Sequence, residues 1–175
     1  MSDTSGATST GAFDAFFKAN EAYAESFRLG GLKGEAARGL ALVTCMDSRI
    51  DPLAVLGLEP GDAKIMRNAG ARVDDTVLMN LVAAAYLLKV DRVLVMPHTR
   101  CKMASVDSDT VVHDLIEEQH GVDTRSLDFH TASDQMGALR RGLERIRRHP
   151  LLPEGLAVAG ALYDVDTGRV KPVDL

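Results

Sequence analysis

The chain has 175 residues, 46% hydrophobic and 26% charged, the size and balance of one ordinary globular domain with one core rather than two. Its 25 acidic against 20 basic residues give a net charge of −5, which removes any general electrostatic reason to approach nucleic acid or an anionic membrane. Aromatics make up 5% and Trp is absent, which sets an all-β architecture aside in favour of helices packed on a sheet.

Residues 1–12 are rich in Ser, Thr and Gly and read as a flexible tail, without the basic-then-apolar pattern of an export signal. Over 13–27 Phe13, Phe16, Phe17, Tyr23 and Phe27 recur near helical spacing, and Gly30-Gly31 marks the stop. An apolar stripe of this kind is most simply a helix packed on its own core. The sharper reading is a docking arm that buries its aromatic surface on a second subunit.

The run Leu40-Ala41-Leu42-Val43-Thr44 has the continuous apolar character of a fully buried parallel strand, and it stops at Cys45. A short helix is expected over 51–58, a strand over 63–66, a long helix over 74–89 with acidic residues in its first turn, and a strand over 93–96. Further helices are expected over 110–119 and over 133–148, the latter opening on the capping residue Ser133. A last buried strand is expected over 155–165, before the turn Asp166-Thr167-Gly168. This alternation predicts an α/β fold, a mainly parallel β-sheet flanked by helices. The expected organisation is a tail over 1–12 and one domain over 13–175 with an N-terminal helical arm. The longest apolar stretches, 81–88 and 156–162, fall well short of the roughly 20 residues that span a bilayer. Two cysteines cannot build a disulfide framework, so the expectation is a soluble, cytoplasmic protein with both thiols free.

In open α/β sheets ligands collect beyond the carboxyl ends of strands. Three expected strands end in polar clusters there: Cys45-Met46-Asp47-Ser48-Arg49, Arg67-Asn68-Ala69-Gly70 and Pro97-His98-Thr99-Arg100-Cys101. If the strands are neighbours, Cys45, His98 and Cys101 meet above the sheet. Two thiolates and one imidazole favour zinc over magnesium or calcium, and three protein ligands leave one position open. Taken singly, each residue has a plainer account, a small core cysteine or a hydrogen-bonded histidine. What sets them apart is that both cysteines of the chain, one His and an Asp-x-Arg fall together at strand ends. Asp47 lies two residues beyond Cys45 and so on the same side of an extended segment. Arg49 is placed to return a bidentate pair to it and keep it ionised. Asp47 is then either a fourth ligand that closes the site or the acceptor of a hydrogen bond from water at an open one.

With Cys45-x-Asp47-x-Arg49, Arg67-Asn68-Ala69-Gly70 and His98-x-x-Cys101 in that order, the sequence resembles the β-class carbonic anhydrases over nearly the whole domain, to the ending Tyr163-Asp164-Val165-x-Thr167-Gly168. The resemblance implies zinc held by Cys45, His98 and Cys101, Asp47 and Arg49 as the dyad that orients water at the metal, and reversible hydration of carbon dioxide to bicarbonate and a proton. It also implies a homodimer or a dimer of dimers, with the aromatic helix laid on the partner. In the three-histidine carbonic anhydrases, on another fold, zinc lowers the pKa of water from 15.7 to about 7. Here two thiolates cancel the formal charge of the ion, so the acidification is expected to be weaker.

Two positions depart from the family pattern. Lys102 stands where the family usually has Gly after the second zinc cysteine, which predicts either backbone strain or a differently shaped loop. Arg100 stands where an Asp is common, so two cations flank Cys101; their field either holds bicarbonate nearby or both side chains simply extend into solvent. The basic run Arg140, Arg141, Arg145, Arg147 and Arg148 reads as a solvated helix face rather than a nucleic-acid site. Alternative functions are hydrolysis of carbon disulfide or carbonyl sulfide at the same zinc, or a non-catalytic zinc-binding module. Cys45 acting as a metal-free nucleophile would leave Cys101 and His98 unexplained.

Overall fold

A computed structural model describes residues 11–174, so most of the expected tail over 1–12 lies outside the described residues. The chain divides into two units, one ending at Leu32 and one running from Lys33. In the first, a single 3-10 turn (Gly11–Phe13) leads into α1 (Asp14–Ser26). The helix has no buried residue, and Phe13, Phe16, Phe17, Tyr23 and Phe27 are all exposed. The simpler expectation, a helix packed on its own core, is therefore overturned. The rings make only local contacts along the helix, such as Tyr23 with Phe27 at a centroid separation of 5.6 Å.

The second unit is built on five strands, β1 (Leu40–Cys45), β2 (Ala63–Asn68), β3 (Arg92–Met96), β4 (Ala157–Tyr163) and β5 (Val170–Val173), in the order β2-β1-β3-β4-β5. The first four are parallel, and β5 returns antiparallel to β4. The fold is thus the expected α/β arrangement with a mostly parallel sheet. Strand β5 was not anticipated: its sequence Val-Lys-Pro-Val is short, and Pro172 is tolerated because the strand lies at the edge of the sheet. In β4 only the second half is buried, and Ala157 and Ala159 are exposed, unlike the fully buried strand expected there.

One face of the sheet carries Ala41, Val43, Val93 and Val95 under α3 (Asp75–Leu87) and α5 (Gln135–Arg147). Asp74 caps α3 by accepting from the Val77 N–H at 2.8 Å, and the helix buries Val77, Leu78, Leu81 and Ala84 on one stripe. Asp134, not Ser133, caps α5 through the Gly137 N–H. Helix α5 buries Leu139, Gly142, Leu143 and Ile146; each such aliphatic side chain contributes roughly 1.5–3 kcal/mol of burial. The helix closes on β4 because position 160 is glycine: a Cβ there would lie 3.0 Å from Leu143 Cδ1. On the other face Leu42, Met96, Ala161 and Tyr163 pack with Ile50, beside α2 (Pro52–Val55). The arginine run of α5 is a solvated face, with Arg145 paired to Asp75 and both Arg147 and Arg148 to Glu144.

The register sets the site. Cys45 pairs with Asn68 across β1 and β2, Thr44 with Met96 across β1 and β3, and His98 bridges to Tyr163 just past β3. The three polar clusters therefore emerge side by side at one edge. No helix among the described residues is long and apolar enough to cross a membrane.

Candidate metal centre

Cys45 ends β1, His98 follows β3 by two residues, and Cys101 caps the one-turn 3-10 helix Lys102–Ala104. One ligand atom from each of the three lies within 4.8 Å of the others, and all three residues are buried. The two Sγ atoms are 4.0 Å apart and not joined in a disulfide.

The histidine shows what kind of group the cluster fits. His98 Nδ1 lies 2.9 Å from the carbonyl oxygen of Thr99, which can only accept, so Nδ1 carries the ring proton. Nε2 then presents a bare lone pair, and it is buried without a hydrogen-bond partner. An acceptor orphaned in a side chain 0% exposed is costly unless something electropositive meets it. Facing two sulfurs, that arrangement fits a soft or borderline metal cation, and the Thr99 carbonyl supplies the outer hydrogen bond that fixes the ring.

A hydrogen bond couples the two thiols. The hydrogen bond from Cys101 holds the Cys45 thiol far below its ordinary range; burial opposes this, and the N–H groups of Gly70 and Asp47 reinforce it. Cys101 is pushed up by the same bond and by burial. The Gly70 N–H reaches Cys45 Sγ at 3.3 Å because Gly70 takes φ +82°, where a Cβ would also lie 3.3 Å from that of Met103.

Asp47 and Arg49 form the pair the spacing predicted. Arg49 Nε donates to Asp47 Oδ1 at 2.9 Å and Nη2 to Oδ2 at 2.7 Å, and the backbone N–H of Arg49 adds a third bond to Oδ1 at 3.0 Å. These bonds hold the Asp47 carboxyl well below the usual carboxylate range. Asp47 Oδ2 lies 3.8 Å from His98 Nε2, beside the three-residue cluster rather than within it. Arg49 Nη2 also donates to the Arg100 carbonyl at 3.2 Å, tying the β1 loop to the β3 loop.

Several supports went unassigned in the sequence. Arg67 donates to the carbonyls of Cys45 at 2.9 Å and Asp47 at 2.7 Å, bracing the backbone under both side chains. The Arg67-Asn68-Ala69-Gly70 motif signalled a role there without saying which. Gln135, at the start of α5, donates to the His98 carbonyl at 3.1 Å, and nothing local marked it. Arg100 takes φ +53° and pairs with Asp166, so it neither enters the cluster nor extends freely into solvent. Lys102 is not among the residues with positive φ, so its side chain carries no backbone strain at that position, where it opens a 3-10 turn. A pocket of about 240 Å3 opens over the cluster, lined by Cys45, Met46, Asp47, Ala69, Cys101, Lys102 and Met103.

The chain is similar to known proteins in sequence and in fold. The carbonic anhydrase family model matches residues 40–170. The chain is 30% identical over 160 residues to β-carbonic anhydrase 1 of Mycobacterium tuberculosis, covering 91% of this chain and 96% of that protein. It is 27% identical over 154 residues to the carbon disulfide hydrolase of Acidithiobacillus thiooxidans, with 77% of each covered. The crystal structure of the Streptococcus mutans carbonic anhydrase superposes with a TM-score of 0.88 at 36% identity, over 97% of this chain and 100% of that one. With the Cys-His-Cys cluster at the ends of β1 and β3 of a matching sheet, and a family model spanning that whole sheet up to the first residue of β5, the chain belongs to the β-class carbonic anhydrase family.

Proposed function

We propose that the chain is a zinc-dependent carbonic anhydrase that interconverts carbon dioxide with bicarbonate and a proton. The observation that carries this reading is the bare, buried Nε2 of His98 aimed at two cysteine sulfurs, with a carboxylate held ionised at the edge of the same pocket. Cys45, His98 and Cys101 would hold the metal. Zinc, when bound, supplies a Lewis-acid centre that lowers the pKa of water and so provides a nucleophile near neutral pH.

The rest belongs to the chain's own side chains. Asp47, ionised, accepts a hydrogen bond from the reacting water and turns its lone pair toward the substrate. Arg49 occupies both carboxylate oxygens, which keeps Asp47 from taking the proton outright. Released from Arg49, the same carboxylate would be a further group able to hold the metal and so to close the site. Met46, Ala69 and Met103 give the pocket an apolar wall suited to a small uncharged substrate.

That wall, together with a carbon disulfide hydrolase at an identity close to that of the carbonic anhydrase relatives, favours hydrolysis of carbon disulfide or carbonyl sulfide as the second reading. A dimer is supported by the exposed aromatic face of α1, and a reducing, cytoplasmic location by two buried free thiols that serve as ligands only when reduced.

Stopped-flow carbon dioxide hydration across pH on protein of known zinc content tests the proposal. Turnover that rises with pH at one zinc per chain is expected. Full zinc with no turnover at any pH would overturn it and leave the sulfur substrates or a non-catalytic module, which carbon disulfide consumption then separates.

A further inference from the structure

Arg72 lines a separate pocket with Cys101, and of four further cationic residues on the loops beside the metal cluster three are already engaged. Arg49 is held by Asp47, Arg100 by Asp166, and Arg67 by the carbonyls of Cys45 and Asp47. The fourth, Lys102, enters the hydrogen bonds only through its backbone carbonyl, which accepts from the Ser105 hydroxyl and N–H. Among the described residues its ammonium group has no ion-pair partner, and it is the one cationic residue lining the pocket over Cys45, Asp47 and Cys101.

Charge accounting gives that ammonium a task. Two thiolates balance a divalent metal, and Arg49 balances Asp47, so among the groups lining the pocket Lys102 carries the uncompensated charge. Hydration converts an uncharged substrate into an anion inside a pocket whose other lining groups are sulfurs, apolar atoms and a carboxylate. A carboxylate repels that anion, and an ammonium at the mouth attracts it. We propose that Lys102 is the bicarbonate-holding residue of this site, a binding contact made by the side chain that departs from the family's glycine. The inference rests on the carbon dioxide reading for its ligand, and the geometry that supports it, an unpaired cation lining the pocket over the cluster, is independent of turnover. Because Lys102 is exposed and its own φ is not positive, exchanging its side chain makes no new demand on the backbone there.

The test compares wild-type, Lys102→Gln and Lys102→Arg proteins, each loaded to one zinc per chain, by calorimetric titration with bicarbonate at low and at moderate salt. Lys102→Gln should bind bicarbonate about two- to fivefold more weakly, the scale of an exposed ionic contact. Lys102→Arg should keep most of the affinity, and the salt dependence of the wild type should flatten in the glutamine variant. In turnover, the two directions share one equilibrium constant, so the informative quantities are the KM for bicarbonate and its inhibition of hydration rather than kcat/KM. Both constants should rise with the titration value. Unchanged bicarbonate affinity in Lys102→Gln, or no bicarbonate binding by the wild type, overturns the inference. Bicarbonate affinity that depends on Lys102 in a protein with no hydration activity would instead refute the proposed reaction and retain the anion site.

Discussion

His98 carries the strongest chemical constraint of any single residue. Its protonated Nδ1 is committed to a backbone carbonyl, so the other ring nitrogen has no partner in the protein except the space between Cys45 and Cys101. The same logic separates ligand from positioning residue by experiment. Replacing a group that only orients a ligand costs about 10–100-fold in metal affinity, so removing a ligand sulfur should cost more. Cys101→Ser is expected to lower bound zinc well below one per chain by elemental analysis, and unchanged content would exclude Cys101 as a ligand. Asp47→Ala should keep the zinc and lose about a hundredfold in turnover, the scale of a misplaced acid–base partner. Undiminished turnover would remove Asp47 from the mechanism. The Cys45, Asp47, His98 and Cys101 set was legible because Cys45 ends one recognisable strand and the others follow a strand end within a few residues. Gln135 was not, because its contact with His98 spans 37 positions and depends on where α5 begins.

Among the elements, α4 (Asp109–His120) shows how a helix end steadies the site at one remove. Asp109, its first residue, accepts from the N–H groups of Phe129 at 2.7 Å and His130 at 3.1 Å through Oδ2, and from the N–H and hydroxyl of Thr131 through Oδ1. The next residue, Ala132, donates to the carbonyl of Met103 on the pocket wall. Burial raises the Asp109 pKa, but the bonds from Thr131 and Phe129 outweigh it and hold the carboxyl well below the ordinary range. An unfolded aspartate titrates near pH ~3.9, so a depressed folded value adds stability that is present above that pH and lost as pH falls below it. Asp109→Ala should therefore lose about 2 kcal/mol at pH 7 in urea unfolding, with the gap to wild type narrowing at pH 3. A gap that does not change with pH would mean that the carboxylate's charge contributes nothing. The helix was expected over 110–119, close to what forms; the carboxylate's grip on residues 129–131 had no local signature.

The whole molecule raises the question of what covers α1. Five exposed aromatic rings on one short helix leave a large apolar area in water. A second copy of the chain is the partner the family likeness suggests, and deleting residues 1–28 should convert a dimer into monomers by analytical ultracentrifugation. A dimer that survives the deletion would place the interface on the sheet-bearing unit. The aromatic spacing predicted the helix correctly, yet it could not distinguish a stripe that packs inward from one left bare, since both have the same period. The sequence alone determined the order of the first four strands and the five α-helices, the carboxyl-end clusters and the donor types at Cys45, His98 and Cys101, because these follow from periodicity and side-chain chemistry within a few residues. Tertiary structure decided the rest: that β1 lies between β2 and β3, that β5 turns back along β4, that His98 keeps one nitrogen bare, and that Lys102 alone among the pocket-lining residues is an unpaired cation. The strand neighbours depend on pairing between segments far apart in the chain, and the bare nitrogen and unpaired ammonium on which groups those segments bring near them, which no local pattern of residues encodes.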